Sequence, residues 1–119
     1  MVMFPKKEKE KRKTKKHAAS ILQDKKECYI TKKRTGISVC IGLHRHHIFM
    51  GNANRDISEA NGFWVWISDV FHTGSENGVH GRDGSSLDLE LKQDCQRAYE
   101  EKIGSRESFI KLVGENYLD

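Results

Sequence analysis

The hydrophobic pattern of this chain changes its period partway along, and this change constrains the fold more than any other feature. In FWVWIS, residues 63–68, β-branched and aromatic side chains nearly alternate, which predicts a β-strand. From Ser86 onward, apolar residues recur at helical spacing as far as Gly104, which predicts a helix with Ser86 as its N-cap. A second helix is predicted from Ser105 to Gly114. We therefore expect a small α+β domain with strands first and helices afterwards.

Shorter segments before residue 63 predict the rest of the sheet. ECYIT (27–31) and ISVCIGL (37–43) have the composition of short strands. HHIFMG (46–51) predicts another strand, whereas NANRDISEANG (52–62) is rich in Asn, Gly and charge and predicts a surface loop. We expect a short helical turn around His72, followed by a loop that is rich in glycine.

Charge is distributed unevenly along the 119 residues. Residues 1–34 carry 13 Lys and Arg against 4 Asp and Glu, whereas residues 35–119 carry 8 against 13. The segment KKEKEKRKTKKH has almost no apolar content. We therefore assign residues 1–26 to a basic arm that is flexible or partly helical, and residues 27–119 to the folded domain.

A basic arm of this kind suits a polyphosphate partner, because each neutralised phosphate releases a counterion. Lys13, Lys15 and Lys16 are the candidate nucleic-acid contacts within it. A solubilising tail explains the same composition equally well.

The composition indicates a soluble protein with a modest core. Hydrophobic residues make up 36% and charged residues 32%, so a metal or a partner could supply stability that the core lacks. The apolar runs are far shorter than a membrane span, and no signal-peptide segment follows the first lysines, which predicts a cytoplasmic protein without a membrane partner. Cys28, Cys40 and Cys95 lack CxxC spacing, so we expect free thiols; a metal shared by Cys28 and Cys40 is a weaker alternative.

The histidines carry the main functional signal, since three of the six lie within GLHRHHIFMG, residues 42–51. Adjacent residues of a strand point to opposite sides, so His46 and His47 cannot have the same role. One of them can share a metal ion with His72, after the next strand. The other can face a substrate as a base, because imidazole ordinarily titrates near neutral pH. Asn61 could orient that base through its ring N–H.

These residue types suit phosphodiester cleavage, which needs a nucleophilic water, a base to deprotonate it and a cation beside the phosphate. Arg45, Arg55 and Arg82 lie near the histidines in the sequence and are candidate phosphate contacts. Each is equally consistent with a solvated surface charge. Asn54 competes with Asn61 for the orienting role.

The ordered set LHRHHIF, NG-FWVWIS, FH and GVH resembles the motif of the ββα-metal nucleases, also called HNH or His-Me finger nucleases. Residues 27–118 are similar to a family of small phage- and prophage-encoded HNH-like proteins, including segments such as LDLELKQDCQ and SRESFIKLVGENYL. A phage recombination-enhancing nuclease that acts with the RecA recombinase is related to this family. The chain departs from many HNH proteins at Asp69, in a region where a CxxC pair often binds structural zinc.

The resemblance implies a ββα-metal core with short N-terminal strands and C-terminal helices. Residue by residue, it implies that His47 is the general base and that Asn61 is the middle Asn of the motif. His46 and His72 would be metal ligands, and His80 would be a third ligand or a phosphate contact. The implied metal is Mg²⁺, Mn²⁺ or Zn²⁺, and three imidazoles favour Zn²⁺.

The resemblance also implies a function: a metal-dependent DNA endonuclease or nickase of phage origin, working in the cytoplasm of a bacterial host. Its expected partners are DNA and a protein of recombination, packaging or host defence. The alternative is an HNH-like protein that binds a protein or nucleic acid without cleaving it, such as a phage accessory or anti-defence factor. The acidic body favours this alternative, because a negative surface is unusual for DNA cleavage. Trp64 and Trp66 share one side of their strand, and we expect them to pack under the C-terminal helices.

Overall fold

The structure is a computed structural model that describes residues 17–72 and 85–119. Its elements in chain order are α1 (Tyr29–Thr35), β1 (Leu43–His47), α2 (Asn52–Asn61), β2 (Trp64–Ser68), α3 (Asp69–His72), α4 (Ser85–Lys102) and α5 (Arg106–Val113). The predicted α+β class is confirmed, because an antiparallel pair of strands is combined with helices.

The register of β1 and β2 divides the sheet into two faces. His46 lies opposite Val65, and His47 lies opposite Trp64. Directly opposed residues of an antiparallel pair share a face, and neighbours along a strand alternate. Val65 and Ile67 are fully buried on one side, the core face. The other side, which we call the tryptophan face, carries Arg45, His47, Trp64 and Trp66.

Four aromatic rings form the centre of the hydrophobic core. The ring centroid of Phe63 lies 5.6 Å from that of Phe49. It also lies 6.0 Å from those of Tyr99 and Phe109. The pairs with Phe49 and Tyr99 are edge-to-face and the pair with Phe109 is tilted, and such ring contacts are favourable beyond the area that they bury. Tyr99 belongs to α4 and Phe109 to α5, so Phe63 joins both C-terminal helices to the sheet.

The two C-terminal helices are confirmed close to their predicted ends. The Ser105 hydroxyl caps α5 by accepting a hydrogen bond from the Ser108 N–H, and the Ser108 hydroxyl accepts one from the Ser105 N–H. Gly114 ends α5 in a left-handed conformation, with a φ of 96°. The helical turn around His72 is confirmed as α3, and none of the described helices is long and apolar enough to cross a membrane.

The predicted strand at 27–31 is wrong, since α1 occupies most of this segment. Cys28 is extended and serves as the N-cap, and Gly36 ends the helix with a φ of 79°. Basic residues in the last turn favour this helix, because cations interact well with the C-terminal end of its dipole. The strand predicted at 37–43 does not form over most of its length, because β1 begins only at Leu43.

The loop predicted at 52–62 is also wrong, because ten of its residues form α2. This helix is held by a tertiary contact that leaves no local signal. The fully buried Ser58 hydroxyl donates to the carbonyl O of Phe49 and accepts from the Phe49 N–H. A short, polar helix of this kind depends on such contacts more than on its own propensity.

Residues 17–26, which the sequence assigned to the basic arm, lie against the sheet; we call them the N-terminal segment. The Ser20 hydroxyl donates to the carbonyl O of Trp64 at 2.6 Å. The Trp66 N–H donates to the side-chain carbonyl of Gln23 at 2.8 Å. The Trp64 indole N–H donates to the carbonyl O of Ala18. Within the described residues, part of the predicted arm therefore packs against the folded domain.

These contacts also correct the prediction for the two tryptophans. Trp64 and Trp66 contact the N-terminal segment. Val65 and Ile67 instead belong to the core cluster that includes residues of the C-terminal helices. The cause is strand alternation: Val65 and Ile67 fill the core face, which leaves both indoles on the opposite side.

Gly62 permits the close approach of the N-terminal segment. Its φ is +76°, and a Cβ built there would lie 2.1 Å from the carbonyl O of Ala19. We expect Gly62→Ala to lower the free energy of unfolding by about 2–4 kcal/mol, through left-handed strain and this collision. Gly36→Ala is the matched control, because Gly36 has a φ of +79° and nothing lies within 4 Å of its built Cβ. Urea denaturation should show a loss of only about 1–2 kcal/mol for the control. Equal losses would contradict the packing of Ala19 on Gly62.

Candidate active site

His47 lies at the end of β1 on the tryptophan face, and its side chain is 13% exposed. The chain turns after β1 and returns through α2, which places Glu59 beside the end of the strand. The Nε2 atom of His47 lies 2.5 Å from Oε1 of Glu59. Glu59, in the last turn of α2, therefore holds the imidazole of His47, the predicted general base.

The Glu59 carboxylate binds three cationic or titratable groups. Its Oε2 atom lies 2.5 Å from Nδ1 of His17 in the N-terminal segment. The Arg45 Nη1 atom donates to both carboxylate oxygens, at 3.2 and 3.4 Å. Partial burial alone would raise the pKa of Glu59, but the hydrogen bonds from His17, His47 and Arg45 outweigh it and lower that pKa to about 2. Glu59 is therefore ionised throughout the neutral range.

An ionised Glu59 fixes the proton on its histidine partner. A carboxylate can only accept hydrogen bonds, so Nε2 of His47 must carry a hydrogen. In the neutral ring the lone pair then lies on Nδ1. Among the described residues, no group hydrogen-bonds to this Nδ1 atom. The hydrogen bond to Glu59 therefore orients the ring and leaves the Nδ1 lone pair as its acceptor site.

Arg45 is held beside this pair by aromatic contacts. Its guanidinium carbon lies 4.2 Å from the ring centroid of Trp64 and 5.5 Å from that of Trp66. These cation–π contacts and the bonds to Glu59 keep the guanidinium on the tryptophan face next to His47. Among the predicted site residues whose side chains the structure describes, it thus brings Arg45 and His47 together.

His46 lies on the opposite side of the strand, as alternation requires. Its side chain is 1% exposed and faces the core side of the sheet opposite Val65. On the same strand, Nε2 of His44 lies 3.5 Å from Oδ1 of Asp69, the first residue of α3. Helix α3, which ends at His72, contacts both β1 and β2.

The predicted metal ligands are only partly described. The side chain of His72 and all of His80 lie outside the described residues, as do Arg82, Lys13, Lys15 and Lys16. Within the described part, no group of three or more His, Cys, Asp and Glu side chains could hold a metal ion. The donors present there do not by themselves form the predicted site, so we derive no catalytic step through a metal.

Two other predicted residues lie on α2 and do not contact His47. The side-chain amide of Asn61 donates to the carbonyl O of Ile57 at 2.9 Å, and Arg55 is exposed on the helix surface. Glu59 occupies the orienting position that was predicted for Asn61. Reading residues 52–61 as a helix that ends before Gly62 would have drawn attention to Glu59 in its last turn.

The lowered pKa of Glu59 predicts a pH-dependent contribution to stability. Its pKa falls from the ordinary 4.5 to about 2, so the stabilisation is complete above pH 4.5 and is lost as the pH falls towards 2. We expect Glu59→Gln to cost about 1–2 kcal/mol at pH 7, and this difference from wild type should shrink over that acid range. Urea denaturation from pH 7 to pH 2 measures it, with Glu101→Gln, an exposed residue of α4, as the control. A constant difference over the whole range would contradict the ion pairing at Glu59.

Comparison with known proteins places the chain in no established group. No family model, no curated protein and no solved structure matches it. The assignment to the HNH-like proteins therefore stays a prediction from the sequence, and the function is argued from the site itself.

Proposed function

We propose that this protein is a phosphodiester hydrolase that cleaves or nicks DNA, with His47 as its general base. The observation that carries the proposal is the contact between Nε2 of His47 and Oε1 of Glu59. An imidazole held by a carboxylate through one nitrogen can take a proton from water through the other. Histidine bases of this type contribute roughly 10²–10⁴-fold to a rate.

In this proposal, Nδ1 of His47 removes a proton from the attacking water. Glu59 keeps the ring oriented and stabilises the positive charge that the ring gains. Arg45 lies on the same face and is placed to bind a phosphate oxygen near the reacting centre. Glu59 contacts His17, Arg45 and His47, and Arg45 contacts Glu59 and both indoles, so the two groups beside the base are each held by more than one contact.

The ββα-metal fold and its divalent cation remain part of the proposal. The order β1, β2, α3 supports the fold, and α3 ends at His72, a predicted ligand. His46, His72 and His80 would hold Mg²⁺, Mn²⁺ or Zn²⁺, and the ion would supply charge stabilisation to the leaving oxygen. The excess of Lys and Arg over residues 1–34 supports DNA as the substrate. We place the enzyme in phage recombination, replication or packaging in a bacterial host.

Plasmid nicking tests the proposal directly. The full chain is incubated with supercoiled plasmid and Mg²⁺, Mn²⁺ or Zn²⁺ in turn, and with EDTA, and the products are separated on an agarose gel. Conversion of supercoiled to open-circular or linear DNA in at least one of these ions is the expected result. Intact plasmid in all of them, together with an intact single-stranded oligonucleotide under the same conditions, from protein that is shown to be folded, would refute the nuclease.

A second candidate is a protein of the same fold that binds without cleaving. The limited exposure of the His47 side chain, 13%, favours it, because a base needs access to water and substrate. Plasmid that is retarded on a native gel but never nicked would support this candidate.

A further inference from the structure

A groove opens on the tryptophan face between the two indoles and the N-terminal segment. Its volume is about 450 Å³, and its walls include Trp64, Trp66, Gln23, Asp24, Lys25 and Lys26. This volume falls within the range of pockets that bind small ligands or parts of larger ones. We call it the tryptophan groove.

The two tryptophans of the groove are cross-strand neighbours of two residues of the candidate active site. Trp64 lies opposite His47, and Trp66 lies opposite Arg45. Trp66 follows Trp64 by two positions, which is roughly 7 Å along a strand. A chain-like ligand that occupies the groove at Trp66 would therefore pass close to His47.

The polar groups of the groove favour an anionic ligand with flat rings. Lys25 and Lys26 are exposed at its rim, and Asp24 is the acidic residue of the lining. The Lys26 ammonium lies 4.5 Å from the ring centroid of Trp66. A cation over a partly exposed ring is held weakly, whereas a nucleobase stacks strongly on an indole. A base could therefore displace Lys26 from the ring and leave its charge for a phosphate.

We infer that the tryptophan groove binds single-stranded nucleic acid, with a base stacked on Trp66 and phosphates bound by Lys25 and Lys26. The inference rests on the proposed function for its choice of nucleic acid as the occupant. A single strand fits better than a duplex, because its bases are free to stack on protein side chains. The groove thus narrows the substrate class to DNA that is unpaired beside the cleavage site.

Intrinsic fluorescence tests the inference, since the only two tryptophans of the chain lie at this groove. A short oligothymidylate is titrated into the full chain in EDTA, and its length is checked afterwards on a denaturing gel. We expect quenching for wild type and a Kd about tenfold higher for Trp66→Leu. The double variant Lys25→Ala/Lys26→Ala should bind more weakly and reduce the slope of log Kd against log salt by about 1.4, since each phosphate contact to a single strand contributes about 0.7. The matched control Lys32→Ala/Lys111→Ala removes two exposed lysines outside the groove and should stay within about twofold of wild type in low salt.

Three outcomes would overturn the inference. The first is wild-type affinity in Trp66→Leu, and the second is a Lys25→Ala/Lys26→Ala variant that equals its control. The third is quenching by polyglutamate but not by oligothymidylate, which would assign the groove to an acidic peptide. The inference and the proposed function can be refuted independently. Nicking without Trp66-dependent binding refutes only the binding of nucleic acid in the groove, and binding without nicking refutes only the nuclease activity.

Discussion

His47→Ala is expected to lower the rate of plasmid nicking by roughly 10²–10⁴-fold while the protein stays folded. The substitution removes Nδ1, the nitrogen that accepts the proton of the attacking water, and leaves Glu59 bound to His17 and Arg45. Initial rates on supercoiled plasmid measure the loss, and a thermal melt of each preparation confirms folding. His47→Ala with the wild-type rate would refute the assignment of the base.

Two further variants test whether the measured nicking comes from this chain, and whether a lower rate reflects lost catalysis or misfolding. Glu59→Gln keeps the shape of the side chain but removes its charge, so we expect a smaller loss, of about 10–100-fold. Lys111→Ala, an exposed residue of α5, should keep the wild-type rate. Equal rates in all three variants would show that neither His47 nor Glu59 takes part in the measured cleavage, which is also the result that a copurified host nuclease would give.

Phe63→Ala is expected to cause the largest loss of stability, about 3–5 kcal/mol. Phe63 is fully buried, and its ring contacts Phe49, Tyr99 and Phe109. Truncation to Ala removes the transfer free energy of a buried ring and leaves a cavity between the sheet and both C-terminal helices. A typical domain is stable by only about 5–15 kcal/mol, so the variant should unfold at a much lower urea concentration.

Ile41→Ala is the matched control for this experiment, since Ile41 is 85% exposed. Its free energy of unfolding should stay within about 0.5 kcal/mol of wild type. A loss below about 1 kcal/mol for Phe63→Ala would show that Phe63 does not join the helices to the sheet.

The elements that the sequence predicted correctly are those with local signals. Alternating side chains predicted the strand at 64–68, and a serine cap with a terminal glycine predicted α5. Helix α2 has no such signal, because its stability depends on Ser58, which hydrogen-bonds a residue nine positions away. Its polar composition resembles that of a loop, so the sequence did not predict a helix there.

The candidate site was predictable only in part, for a related physical reason. Strand alternation alone predicted that His46 and His47 have different surroundings. The partner of His47 lies 12 residues away, and Glu59 itself binds a histidine 42 residues away. Such contacts depend on how α2 and the N-terminal segment fold back on the sheet. No spacing rule connects these positions, so Glu59 and His17 were missed.

The N-terminal segment and Cys28 together form the hydrogen bonds to the outer edge of β2 that a third strand would otherwise form. A two-stranded sheet leaves an edge that can pair with another molecule and start aggregation. On the outer edge of β2, the Trp64 carbonyl, the Trp66 N–H and the Ser68 N–H are all occupied, by Ser20, Gln23 and Cys28 in turn. A chain shortened past Gln23 would expose the first two of these groups and become a template for intermolecular strand addition. We therefore expect the N-terminal segment to help keep the protein monodisperse, whatever the lysines before it bind.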